Sequence, residues 1–188
     1  MNKIRIIPSI LYRNFSIVKG KEFASWRVVG NLQQVVQIYA LREVDEIIFL
    51  DLDAHKTNII NFNLIKSFAD NCFMPLTVGG GIKNIDDIEK LLKNGADKVC
   101  VNSEAFLNKK LINDAVKKFG SQCISISIDY KNIRKNLKNV FINSGKTDTK
   151  KKLFDWVEEV NEMNVGEVIC TSIDHEGKMD GFDINTLL

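Results

Sequence analysis

The sequence is poor in the residues that usually announce a special site. Of 188 residues only two are proline, two histidine and four cysteine. Pro8 and Pro75 each stand near the start of an apolar run, where a missing N–H is tolerated. His55 and His175 have no metal-ligand company and read as loop residues, so no metal site is expected. Cys72, Cys100, Cys123 and Cys170 lie far apart without a C-x-x-C spacing. Zinc and redox-motif readings therefore fall away, and a reduced, cytoplasmic setting is expected. No apolar run reaches transmembrane length, and the opening MNKIRIIPSI is too short in apolar residues for a signal peptide. An excess of one charge is missing too. A net charge of +2 points to neither nucleic acid nor a membrane surface. The basic runs Lys131 to Lys138 and Lys146 to Lys152 read as solvated loops.

What is present is a core-forming pattern, 45% hydrophobic and 27% charged. Short apolar runs predict strands over Ile4–Leu11, Glu46–Asp51, Pro75–Val78, Lys98–Val101, Cys123–Ile128 and Glu167–Thr171. Helices are predicted over Asn31–Arg42, Ile85–Asn94 with Gly95 as a C-cap, Leu111–Phe119 and Leu153–Met163. Strand and helix alternating this regularly imply parallel pairing through right-handed crossovers. An open doubly wound sheet would give a similar string.

An internal repeat favours a (β/α)₈ (TIM) barrel. Glu46-Ile-Ile-Phe-Leu-Asp-Leu-Asp53 shadows Glu167-Val-Ile-Cys-Thr-Ser-Ile-Asp174, and Ser9-Ile-Leu11 shadows Ser127-Ile-Asp129. Two similar halves fit a barrel made of two four-strand half-barrels. The expectation is one barrel domain over residues 1–188 with about six of eight βα units. A second glycine-rich loop is expected beyond residue 188.

In such a barrel the working groups lie at the C-terminal ends of strands. Thr77-Val-Gly-Gly-Gly-Ile82 follows the third strand, and its Gly80 and Gly81 suit the close backbone approach of a phosphate. Asn102 and Ser103 end the fourth strand and offer an amide and a hydroxyl beside it. A turn that merely needs small residues is the competing reading. Asp51, Asp53, Asp129 and Asp174 collect at strand ends, where carboxylates serve as acid–base groups or as helix caps. Asp129, after a run of apolar and small residues, is the candidate catalytic group. Lys19 follows the first strand and is placed to meet an anion. At the opposite end, Arg5, Glu46, Lys98 and Glu167 begin four strands and would pair into a ring.

With these segments in view, the chain resembles the cyclase subunit of imidazole glycerol phosphate synthase. The resemblance rests on Arg5-Ile-Ile-Pro8, Val18-Lys-Gly20, Asp45-Glu-x-x-x-Leu-Asp51, Thr77-Val-Gly-Gly-Gly-Ile82, Gly95-Ala-Asp-Lys-Val-x-Val-Asn102, Phe119-Gly-Ser-Gln122, Ile128-Asp129, Gly166-Glu167 and Thr171-Ser-Ile-Asp174 with Gly177. It implies a (β/α)₈ barrel, without a cofactor, that works with a glutamine amidotransferase partner. Ammonia from the partner enters at the bottom and meets a bisphosphorylated, ribonucleotide-derived substrate at the top. By position, Arg5, Glu46, Lys98 and Glu167 match the gate for ammonia. Gly80, Gly81, Asn102 and Ser103 match a phosphate site. Lys19, Asp51 and Thr171 match the mouth near the substrate, and Asp129 one of two catalytic aspartates.

One departure shapes the functional reading. The family's other aspartate is expected at the end of the first strand, where this chain has Leu11. Glu176 likewise stands where aspartate is usual. Half of the acid–base pair beside an intact gate resembles a paralogous branch that amidates surface-polysaccharide sugars. Amidation of a sugar precursor is the leading expectation from sequence. A cyclase of histidine biosynthesis and a non-catalytic barrel that activates a glutaminase are the alternatives.

Overall fold

The computed structural model describes residues 4–57, 59–134 and 137–187. The chain divides into two compact units, Met1–Val18 with Val28–Val101, and Lys19–Arg27 with Asn102–Leu188.

The first unit is built on β1 (Ser9–Arg13), followed by β2 (Ser16–Lys21) and β3 (Ala24–Gly30), whose shared segment Lys19–Arg27 belongs to the second unit. Then come α1 (Leu32–Leu41), β4 (Ile47–Asp51), α2 (Ala54–Thr57), α3 (Phe62–Ala69), β5 (Leu76–Gly79), α4 (Ile85–Lys93) and β6 (Lys98–Val101). Strands β1, β4, β5 and β6 pair in parallel, with Leu11, Leu50, Gly79 and Cys100 level across them. Paired residues share a sheet face, and alternation along each strand puts their neighbours on the other. Tyr12, Phe49 and Phe68 stack on one face, with ring centroids 5.5 and 5.1 Å apart, and seat α3 there. Leu11, Leu50 and Glu46 therefore belong to the opposite face.

Three asparagines set the helix starts. Asn31, Asn61 and Asn84 each accept the N–H three residues on with their side chains, capping α1, α3 and α4. Helix α4 adds Asp86 and Asp87 in its first turn and Lys90 and Lys93 in its last, which complements its dipole.

The second unit contains α5 (Ser103–Leu107), α6 (Lys109–Phe119), β7 (Ile124–Arg134), β8 (Leu137–Ile142), β9 (Thr147–Lys152), α7 (Leu153–Glu162), β10 (Glu167–Ser172) and α8 (Ile184–Leu187). Strand β10 pairs in parallel with β7, while β7, β8 and β9 form an antiparallel ribbon. Its core holds Ile124, Ile126, Ile128, Val160 and Trp156, the last against Phe106 at 4.9 Å between ring centroids. The class is α/β, built of βα units with parallel strands and helical crossovers in both units. No helix among the described residues is long and apolar enough to cross a membrane.

Three expectations need correction. The first strand begins at Ser9 rather than Ile4. Before it, the Ile6 N–H donates to the Asp45 carboxylate at 2.8 Å, and Ile4 and Ile6 are exposed. The basic runs are not loops: they lie largely in β7, β8 and β9, because the buried run Val140-Phe141-Ile142 anchors a ribbon whose lysines fill its outer positions. His55 sits in the short helix α2 rather than in a loop.

Candidate active site

Asp129 is the most unusual carboxyl group in the second unit. It stands far along β7, level with Thr171 of β10. It is buried, and burial pushes its pKa up to about 7. Hydrogen bonds from Asn102 and Ser127 work against that rise. The Asn102 Nδ2 donates to Asp129 Oδ2 at 2.7 Å. Asn102 precedes α5 but makes no side-chain cap to it, so its amide serves the carboxyl group instead. A carboxyl group half-protonated near neutrality can both accept and return a proton. Twenty-seven residues separate the two partners, and no sequence pattern pointed to their pairing.

The neighbouring Ser103 is also engaged. Its Oγ accepts the Asn143 N–H at 2.9 Å, tying the β8–β9 turn to the start of α5. Lys19 is exposed, and burial raises the Glu176 pKa against the opposing charge of Lys19. Around it, the Glu22 N–H donates to the Glu176 carbonyl at 2.9 Å, and Lys178 pairs with Glu22 at 2.7 Å. A Cβ on Gly177, whose φ is +71°, would lie 2.2 Å from the Gly20 carbonyl oxygen. Only glycine fits there.

In the first unit, Gly80 and Gly81 make their turn at φ +111° and +73°. A Cβ on Gly80 would come within 2.2 Å of the Asp51 carbonyl oxygen, and one on Gly81 within 2.9 Å of Ala54. Packing against the end of β4 thus already requires both glycines. Asp51 Oδ1 accepts the N–H groups of Asp53 and Ala54 at 2.9 and 3.2 Å. Burial raises the Asp51 pKa and those two bonds oppose the rise. Asp53 and Asp174 each tie neighbouring segments together. Asp53 accepts the Asn14 N–H and pairs with Arg13 and Lys56, whereas Asp174 accepts the Asn132 N–H and Nδ2.

Three of the four predicted gate residues meet at the starts of the first unit's strands. Glu46 is 2% exposed. Its two oxygens accept Lys98 Nζ at 3.1 and 2.9 Å, Thr77 Oγ1 at 2.7 Å and Arg5 Nη1 at 3.2 Å. Sequence reading missed Thr77, a small polar residue in an apolar strand. Arg5 precedes β1 rather than beginning it. Glu167 opens β10 in the second unit, level with Ser125 and on the face that carries Asp129 and Thr171. Among the described residues, no three His, Cys, Asp or Glu side chains are grouped to hold a metal ion.

The repeat read from sequence reappears in the bonding of each unit. In the first, the Leu52 N–H donates to the Tyr12 carbonyl at 2.9 Å and the Asn14 N–H to Asp53 at 2.9 Å. In the second, the Ile173 N–H donates to the Tyr130 carbonyl at 2.9 Å and the Asn132 N–H to Asp174 at 2.7 Å. Leu11 faces Leu50 across its strand pair as Asp129 faces Thr171 across the other. Leu11 is thus the first-unit counterpart of the catalytic candidate.

The family model described as histidine biosynthesis protein matches residues 5–188. The chain belongs to the histidine biosynthesis protein family. It is 44% identical over 187 residues to a Campylobacter jejuni protein named "Putative imidazole glycerol phosphate synthase subunit hisF2", a match that covers 100% of this chain and 74% of that one. It is 41% identical over 182 residues to imidazole glycerol phosphate synthase subunit HisF of Hydrogenobaculum, covering 96% and 72%. The Streptococcus mutans HisF subunit is 39% identical over 188 residues, covering 100% and 75%. As a member of the histidine biosynthesis family, the chain has the α/β fold that its pattern of parallel strands predicted.

Proposed function

We propose that the chain is an ammonia-accepting cyclase subunit of the imidazole glycerol phosphate synthase type. The observation that carries this reading is Asp129, a buried carboxyl group held near neutrality by burial and oriented by Asn102. Asp129 acts as the acid–base group, and Asn102 is a positioning residue for it. Thr171 and Lys19 face the substrate, and Asp51 shapes the turn beneath Gly80 and Gly81. Gly80 and Gly81 in the first unit, and Asn102 and Ser103 in the second, each offer groups to a substrate phosphate. The first-unit cluster of Arg5, Glu46 and Lys98 gates ammonia delivered by a glutamine amidotransferase subunit, and Glu167 of the second unit is assigned to the same role. The free thiols fit a reducing, cytoplasmic setting.

Leu11 favours a second reading, amidation of a surface-sugar precursor, because a leucine cannot transfer a proton. The relatives' names favour the histidine-pathway cyclase. The test supplies ammonium salt and the bisphosphorylated substrate, so that no amidotransferase is needed. The cyclase reading expects turnover in the wild type and an increase in Leu11→Asp. No turnover, with ammonia-dependent modification of a sugar nucleotide instead, would transfer the assignment to the amidation reading. No activity on either substrate, with faster glutamine hydrolysis by an added amidotransferase, would leave a non-catalytic activator.

A further inference from the structure

Charge is unevenly spread along this chain. Between residues 131 and 152, eight lysines and arginines stand against the single carboxylate of Asp148, whereas the whole chain carries only +2. The remainder is therefore net acidic. The described residues of this stretch lie largely in the antiparallel ribbon of β7, β8 and β9, and β7 is the strand that carries Asp129. Two of the cations are neutralised within the unit, Lys150 by Asp148 at 2.7 Å and Lys151 by Glu159. Lys131, Arg134 and Lys152 form no ion pair among the described residues.

Their placement follows from register. Lys131 lies two residues beyond Asp129, so it shares Asp129's face about 7 Å further along the strand. Its ammonium sits 5.1 Å from the ring centroid of Phe141, and Phe141 is the residue directly opposite Asp129 on β8. Asn139 is opposite Lys131 on one side and Lys152 on the other. A row of Lys131, Asn139 and Lys152 thus crosses the ribbon just past the carboxyl group, with Arg134 further out along β7. The Phe141 ring holds the innermost cation in place by a cation–π contact.

We propose that this ribbon is an anion-collecting rim that draws a bisphosphorylated substrate toward Asp129, with Lys131 as its innermost cation. The proposal rests on the cyclase reading above and specifies how the substrate arrives. A small, multiply charged anion fits better than a nucleic-acid strand. The ribbon's aromatic side chains, Tyr130 and Phe141, are buried and leave no stacking platform for bases. Clustered cations beside a reactive group raise the encounter rate of an anionic substrate, and salt suppresses the effect.

The test compares wild type with the double variant Arg134→Gln/Lys152→Gln. One assay follows turnover of the bisphosphorylated substrate with ammonium salt, at low and high ionic strength. The other measures binding of ribulose 1,5-bisphosphate by calorimetry. The expected result is kcat/KM lowered about tenfold at low salt, with kcat unchanged and the difference gone at high salt. Ribulose 1,5-bisphosphate affinity falls in parallel. Turnover and affinity equal to wild type at low salt would overturn the rim and leave the cyclase reading standing. Salt-dependent bisphosphate binding, weakened in the variant but without turnover in wild type, would keep the rim and overturn the cyclase reading. Loss of duplex-DNA binding alone, with bisphosphate binding intact, would assign the ribbon to another polyanion and overturn the proposal.

Discussion

Glu46 gathers two cations and a hydroxyl on one buried carboxylate, so each partner depends on it. Removing a buried charged acceptor takes a charge-assisted bond from each of its donors. Glu46→Ala should lower unfolding free energy by roughly 3 kcal/mol, because Lys98, Thr77 and Arg5 all lose the same buried carboxylate acceptor. Chemical denaturation checks this, and an unchanged midpoint would mean the network contributes nothing to stability. Asp129 makes a pH-dependent prediction. Its pKa is about 7 in the folded chain and about 4 in an unfolded one. A group that is harder to ionise when folded stabilises most below about pH 4, and that stability is lost as the pH rises toward 7. The loss amounts to roughly 4 kcal/mol. Asp129→Asn should therefore gain stability relative to wild type between pH 5 and pH 8, and parallel pH–stability curves would contradict it. Asp129 was legible in sequence as a carboxylate closing an apolar run. Asn102 was legible as a neighbour of the glycine turn, but its bond to Asp129 was not, because side-chain pairing across strands leaves no periodic trace.

At the level of elements, helices were the most readable parts. Apolar spacing located α1, α4, α6 and α7, and asparagine caps explain why α1 and α4 start where they do. Asn84→Ala should reduce stability by about 1 kcal/mol, since the Asp87 N–H loses its 2.9 Å acceptor while the helix stays otherwise intact. Denaturant titration would show it, and Asn84→Ser should recover most of the loss. The β7–β9 ribbon was misread because lysines in strands look like lysines in loops. What distinguishes them is the cross-strand partner, and that appears only with the register. The extended segment before β1 was misread for a related reason: Ile4 and Ile6 look like strand residues, yet the Ile6 N–H is taken by a side chain rather than by a neighbouring strand.

For the whole molecule, the internal repeat was the most informative feature of the sequence. Offsets between similar segments predicted two related halves, and both units repeat the same backbone and carboxylate bonds around Tyr12 and Tyr130. That symmetry also isolates the functional question, because Leu11 stands where the second unit has Asp129. Proton transfer then falls to Asp129. The pH–rate profile of ammonium-dependent turnover, in wild type and in Asp129→Asn, tests this most directly. The expected result is a wild-type inflection near pH 7, and an Asp129→Asn rate lower by about 10² to 10⁴-fold with no inflection there. Turnover by Asp129→Asn at the wild-type rate, with the same profile, would contradict it.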